Sequence, residues 1–449
     1  MADTIQTLAL ADKISKDNQT AKAVANQWDR TSDIFRNCNT QSPGFYRFDA
    51  AGRRYVQPLA SSPIQAAGRL ATDTRVDAVS PRYNQALYTA PVYNEVAVAF
   101  NFDVGFRLDE SNEKAFTNAI ADRISAATEG IGAETARQIL NADGTGTLQQ
   151  SGKSECTATA SSAGANTMTF TAAGIEEILL KDKLSVGTMI DVWTTGGTTS
   201  TAAAPVTQTT VDARAITAID FTTGVVTYDG AATGFTNTHY VYVSYAGQRT
   251  ADGSSASVRE ISGLPLICKE DTTSTVGGLT GATEARWIGN EYSAGAAISL
   301  AAITAGMNKV EKRIGFSDST HGYTDAIEFN ALWQSLYNSG NVLAYSDTTK
   351  VEARGPVTIP LPNGVVIHKE RLARRKEVFI VPKDHMQIVA PSGNGTADGD
   401  GPKISWAPVN EFGGHFRWDG NHGFVGMAFF NGDLVIDQRA RFLRIHTLS

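Results

Sequence analysis

The sequence predicts an α+β protein. Its helices and strands are grouped along the chain, not alternated as a parallel α/β sheet requires. Three observations carry this reading. Apolar residues at helical spacing run through residues 107–140. Residues 150–250 are rich in Thr, Ala and Gly and break into short strand-like runs separated by turn residues. A later block sets two amphipathic segments among further strand runs.

Composition narrows the class. The 449 residues suffice for roughly two or three domains and a sizeable core. Charged residues are only 19% and glycine is abundant at 41, which favours turns and strands. A net charge of −7 argues against coating nucleic acid through a broadly basic surface, though not against a local basic face. Cys38, Cys156 and Cys268 are far apart and form no CxxC pair, so they read as free buried thiols, not a disulfide framework or zinc site. The start, "MADTIQTLALADKISKDNQ", lacks a basic, then apolar, signal pattern, and no run nears the roughly 20 apolar residues of a membrane span. A cytoplasmic site of synthesis is expected.

Residues 1–44 read as a polar arm with a short helix up to Trp28. Residues 45–102 are unusual. The stretch "RVDAVSPRYNQALYTAPV" is too aromatic for a linker and too polar for a core. The segment ends in a strand that alternates Val96, Val98, Phe100 and Phe102. In the helix that follows, Asp109 and Ser111 are capping residues. Phe116, Ile120, Ile124, Ala127 and Ile131 form the stripe, Gly130 and Gly132 weaken or bend it, and "NADGTG" stops it. At 1.5 Å per residue it spans roughly 50 Å.

In residues 150–250, "LSVGTMIDVWTT", "ARAITAIDFTTGVVTYDG" and "THYVYVSYAG" predict a small antiparallel barrel or sandwich, with a hairpin tip at residues 221–225. An irregular return follows. "SLAAITAGMNKVEKRIGF" and "TDAIEFNALWQSLYNSG" predict helices; "GVVIHKE", "EVFIVPK" and "MQIVAP" predict strands. Asn431-Gly432 predicts a hairpin between two final strand runs. Arg439, Arg441 and Arg444 fall on the last strand and could pair across an interface.

Catalytic patterns fail at required positions. "GTGTLQQSGKS" resembles a phosphate-binding loop, but five residues separate Gly146 from Gly152 where four are needed, and it follows a helix. "TADGDG" resembles half of a calcium loop, but the position of the bidentate Glu holds Ala407. The seven histidines include no HExxH; His415 and His422 read as turn or packing residues. No enzyme, cofactor or metal site is expected. The densest basic run, "HKERLARRKE", holds Arg371, Arg374, Arg375 and Lys376. It reads either as a solvated loop or as a contact to packaged nucleic acid or to a neighbouring subunit.

The order of parts is polar arm, extended segment, strand, long helix, β-rich stretch, mixed α/β block and returning C-terminal strands. It resembles the HK97-type major capsid protein of tailed bacteriophages. Local matches are "EISGLPLICKE…VGGLTGATEARWIG", the "GTG" that closes the helix, and the ending "NGDLVIDQRARFLRIHTLS". The resemblance implies an HK97-like capsid fold. Residues 1–44 would be the N-terminal arm, 45–103 the extended loop and 104–152 the spine helix of the peripheral domain. Residues 153–250 would be a β-rich insertion, 251–295 peripheral domain, 296–420 axial domain, and 421–449 the return to the peripheral domain.

The resemblance further implies self-assembly into pentamers and hexamers of an icosahedral shell around packaged double-stranded DNA. Assembly would take place in the host cytoplasm, with no membrane partner. Portal and scaffolding proteins and a decoration protein would be partners; the short arm implies that the scaffold is separate. The extended loop could not pack on its own subunit's core and would be sheltered by the next one, with Arg75, Arg82, Tyr83, Tyr88 and Tyr93 as interface residues. The type member cross-links its shell through a loop lysine. Here no lysine occurs between Lys22 and Lys114, so a non-covalent shell is expected. An encapsulin-like cellular shell and a non-capsid virion protein are the alternatives.

Overall fold

The computed structural model describes residues 32, 34, 47–48, 55–60, 83–88, 92–101, 113–142, 159–160, 166–193, 214–230, 240–243, 261–284, 286–315, 320–338, 358–361, 364–389, 404–406, 416–418 and 423–447. In chain order the elements are β1 (Arg47–Phe48), β2 (Tyr55–Ala60), β3 (Tyr83–Tyr88), β4 (Val92–Asn101), the long helix α1 (Glu113–Asn141), β5 (Thr159–Ala160), β6 (Thr167–Thr169), α2 (Ala172–Gly174) running into a π-helical turn (Ile175–Leu179), and β7 (Met189–Trp193). Then come β8 (Arg214–Asp220), β9 (Val225–Tyr228), β10 (Tyr240–Val243), α3 (Leu264–Ile267), β11 (Asn290–Ser293), α4 (Leu300–Glu311), β12 (Thr320–Thr324) and α5 (Ala326–Asn338). The chain closes with β13 (Thr358–Pro360), β14 (Val366–Lys369), β15 (Val378–Pro382), β16 (Met386–Val389), β17 (Ile404–Trp406), β18 (Phe416–Trp418), β19 (Gly423–Ile436) and β20 (Leu443–His446). The fold is mixed α+β.

Helix α1 runs through Gly130 and Gly132 without interruption. Its C-terminal half buries Ala127, Ile131, Ala136, Ile139 and Leu140 and packs on β4, β19 and α3. The contact with α3 is close. A Cβ on Gly263, the N-cap of α3, would lie 2.4 Å from the Ala142 carbonyl oxygen. The expected caps Asp109 and Ser111, the Gly144–Gly146 stop and the arm helix up to Trp28 lie outside the described residues.

The middle of the chain forms one six-stranded antiparallel sheet in the order β10-β7-β8-β9-β6-β5. Among the described residues this is a single open path of strands, where the sequence predicts a barrel or sandwich. The sheet is covered by Ile178, Leu179 and Leu184 from the π-helical turn and the loop after it. These pack with Met168, Ile190, Ile216, Val226 and Val241 from the strands. A short helical segment does the covering that a second sheet would have done. The hairpin tip falls where the sequence places it. Gly224 takes φ +72, and Asp220 accepts from the Thr222 amide at 2.9 Å and the Thr223 hydroxyl at 2.6 Å. Those bonds hold the Asp220 carboxyl below its usual range.

A second six-stranded sheet is mixed, in the order β11-β20-β15-β12-β14-β13. Helices α4 and α5 cover one face. Ile303, Gly306, Met307 and Val310 of α4 recur at helical spacing and are buried, and Ser299 caps the helix by accepting from the Ala302 amide. Strand β15 is buried along its whole length. Its alternation serves two cores. Val378 and Ile380 join the α4/α5 cluster, while Phe379 and Val381 join the cluster that contains Ile139, Leu140, Phe430 and Leu434.

Strand β19 pairs with β4 over ten residues, from Gly423 with Asn101 to Gly432 with Val92. It also pairs with β17 and β18, and its last four residues pair with β16. Asn431-Gly432 therefore lies inside one 14-residue strand, not at a hairpin turn. A hairpin of that type needs positive φ at both residues. Asn431 instead stays extended opposite Tyr93, held by the ladder to either side.

Arg439 and Arg441 also differ from expectation. They form a 3-10 turn before β20, so only Arg444 lies on the last strand. Arg439 is fully buried. Its guanidinium donates to the carbonyls of Ile267 (2.8 Å), Leu266 (2.9 Å), Lys269 and Trp287 (3.1 Å each) and Ser274 (3.2 Å). Arg444 pairs within the chain, with Glu377 at 2.5 Å and Glu291 at 2.9 Å. Replacing Arg439 by Met strands five carbonyls, of which those of Ile267 and Trp287 are buried. The expected loss is about 3–5 kcal/mol, read as a lower urea midpoint of the unassembled chain, with Arg439→Lys restoring only part because an ammonium lacks the planar fork.

Candidate assembly site and the basic segment

The extended segment is a paired ribbon. Strand β2 lies antiparallel to β3, with Tyr55 opposite Tyr88 and Ala60 opposite Tyr83, and β1 adds two residues to the other edge of β2. Tyr83 and Tyr88 thus mark the two ends of β3, and Tyr93 lies in β4. Arg75 and Arg82 lie outside the described residues. The ribbon is not detached from its own chain. Leu59 and Ala86 are buried and belong to the same apolar cluster as Ile139 and Phe430, whereas Gln85 is exposed. In the β2–β3 register Leu59 and Ala86 share one face and Gln85 the other. The expectation that this segment cannot pack on its own core is corrected at that face: two small or aliphatic residues suffice to seat it.

The basic segment lies in the connection between β14 and β15. Glu370 is buried, accepts from the Ser32 hydroxyl at 2.8 Å and donates its amide to the Thr324 carbonyl at 2.9 Å. Arg371 pairs with Asp182 at 2.7 Å in the open, and Arg375 pairs with Glu176. Arg374 is buried and donates to the Asn141 carbonyl at the end of α1, where a cation suits the negative end of the helix dipole. Lys376 takes φ +60, and its amide donates to Glu328 at 3.0 Å. His368, which opens the run, shares a 2.8 Å hydrogen bond with His321, and burial pushes His321 down to about 4. His321 is therefore neutral at pH 7, with one ring nitrogen a donor and the other an acceptor.

Between the two outer pairs sits a buried ionic cluster. Glu177 is fully buried and receives Lys183 at 2.5 Å and Lys181 at 2.6 Å. Lys181 also reaches Asp325 at 3.0 Å and the Ala373 carbonyl at 2.8 Å; Lys183 reaches Asn141 Oδ1 at 3.0 Å. Asn141 in turn donates to the Leu372 carbonyl at 2.9 Å. None of Glu177, Lys181 or Lys183 was singled out by the sequence. The available signal was a set of charges inside the apolar run "IEEILLKDKL", where helical and strand periods both fail.

Burial lowers the Lys183 ammonium to about 8, against the pull of Glu177. Unfolded, the group keeps its proton to about pH 10.5; folded, it releases it near pH 8. Between those values the unfolded chain binds more protons, so stability rises with pH, by up to about 3 kcal/mol from this group. Lys183→Met removes the effect. Urea midpoints between pH 8 and 10 then climb less steeply than in the parent, and parallel curves contradict the assignment.

No family model matches the chain, and no curated protein does. Solved structures similar to it include the Cyanophage A-1(L) capsid asymmetric unit, at 11% identity and TM-score 0.49, covering 93% of this chain and 92% of that one. A structure of Gordonia phage Cozz has 8% identity and TM-score 0.39, covering 93% of this chain and 87% of that one. A holo encapsulin complex from Synechococcus elongatus PCC 7942 has 10% identity and TM-score 0.24, covering 35% of this chain and 53% of that one. Capsids of phages recur among the structures that span most of the chain.

Proposed function

We propose that this chain is a major capsid protein of HK97 type, which assembles with copies of itself into a closed icosahedral shell around double-stranded DNA. The supporting observation is an arrangement. A paired ribbon (β1–β3) leads into β4, β4 lies along β19 for ten residues, and both strands pack on the 29-residue helix α1. A ribbon that leaves a sheet-and-helix frame in this way can lie over a neighbouring copy while its base stays seated through Leu59 and Ala86. In this reading α1 is the spine helix, α4, α5 and β12–β15 belong to the axial domain (residues 296–420), and residues 166–243 belong to the insertion (residues 153–250). Tyr83, Tyr88 and Tyr93, with Arg75 and Arg82, supply flat apolar area and forked donors to the neighbour. Many modest contacts of this kind sum over a closed shell. Portal and scaffolding proteins, and possible decoration, are the partners that such a shell takes, and the virion is its location.

Negative-stain images of the purified chain are expected to show closed polyhedral particles; dispersed monomers at assembly concentrations would refute the reading. Nuclease-protected duplex DNA inside particles isolated from infected cells separates a phage shell from a cellular compartment loaded with protein cargo. Because residues 23–113 contain no lysine, mature particles are expected to run as a single monomer band on a denaturing gel, and a ladder of covalent oligomers contradicts this.

A further inference from the structure

We infer that residues 371–376 form a clasp that fixes the six-stranded unit, residues 166–243, to the end of α1, with the guanidiniums of Arg371, Arg374 and Arg375 engaged inside the chain and not offered to nucleic acid. The unit has its own apolar cluster, which shares no residue with the two clusters of the rest of the protein among the described residues. The contacts that residues 371–376 make with it are polar. They form three adjacent rungs. Arg371 with Asp182 is the first, and Arg375 with Glu176 is the last. Between them Lys181 and Lys183 of the unit reach the Ala373 carbonyl and the Asn141 side chain, while Arg374 reaches back to the Asn141 carbonyl. Asn141 thus takes a bond from each side, and its own amide group ties Leu372 to the helix. The acids Glu176 and Asp182 come from one short stretch of the unit, spaced to meet Arg375 and Arg371 of the frame, while Glu177 between them holds the two lysines that reach across. The clasp is a property of the single chain and stands whichever kind of shell it forms.

The test uses the full-length chain. Arg371→Ala with Arg375→Ala removes the two outer rungs at positions exposed enough to leave folding intact. Hydrogen exchange is expected to rise roughly fivefold at the Ala373 and Ala142 amides, as two partly exposed ion pairs allow. Exchange at Ile216 and Tyr228, whose amides bond within the unit, stays at the parent rate. Glu177→Gln, which keeps both arginines, is expected to raise exchange at the same two amides by a larger factor. Affinity of the double variant for a labelled DNA duplex, and its salt slope, are expected to match the parent. Unchanged exchange at Ala373 and Ala142 overturns the clasp, as does loss of protection at Ile216 and Tyr228 in step with them. A salt slope smaller by about two overturns the statement on nucleic acid.

Discussion

Residues 423–446 supply a strand to each of two sheets, and neither sheet is complete without them. Strand β20 lies between β11 and β15, and β19 is the strand on which β4, β16, β17 and β18 all pair. A six-residue link, residues 437–442, with Arg439 inside it, carries the chain from one sheet to the other. The buried guanidinium of Arg439 gathers carbonyls from residues 266–287, so the irregular return is fixed by the same short passage. The constraint is topological. Contacts between the first third of the chain and its last residues must close before either core excludes water, and such distant pairings are slow to form. An incomplete chain would expose the apolar face of α1 together with the ladder edge of β4, the combination most prone to wrong association.

The junction between modules is polar where a hydrophobic contact would have been more stable. Burying Lys183 costs more than Glu177 returns, since its ammonium is pushed down to about 8. Asp433, buried on β19 and pushed up to about 7 by desolvation, is a second instance. A greasy surface tolerates sliding, whereas Glu177 accepts its two lysines in one geometry only, and Asn141 must meet a lysine, an arginine and a backbone carbonyl at once. Orientation of the six-stranded unit is thus set by direction-dependent bonds, at some expense of stability. That is the role buried ionic groups fill best when they are retained at all.

The fold class was legible because it rests on local period. Helices α4 and α5 announce themselves by apolar residues three and four apart, and β14, β15 and β16 by dense β-branched runs. The turn at Gly224 was readable because Asp220 and a glycine sit where a tight turn wants a local acceptor and a positive φ. What failed depended on partners far away in sequence. Asn431-Gly432 has hairpin chemistry, but the strand β4, more than three hundred residues earlier, holds it extended. The middle sheet was expected to close or double because nothing local shows that residues 172–184 will cover it. Arg441 was placed on a strand that begins two residues later. The Glu177 cluster was invisible for the same reason: in a one-dimensional reading, buried charges look like a solvated stretch until the Ala373 carbonyl and Asn141 at the end of α1 are brought to them.

The seat of the ribbon bears on how the chain could move. Leu59 and Ala86 belong to the cluster that also holds the last turns of α1 and the second half of β19. A packed cluster repacks between discrete arrangements and does not deform smoothly. If the ribbon swings, either Leu59 and Ala86 leave the cluster and expose it, or α1 and β19 shift with them. The second course preserves burial, so displacement of the ribbon should be transmitted to the end of α1, and Asn141 stands there. Through Asn141 the displacement meets the basic segment and the six-stranded unit. Two features that look separate in the sequence, an aromatic ribbon and a basic run some three hundred residues further on, are thus linked through one helix end.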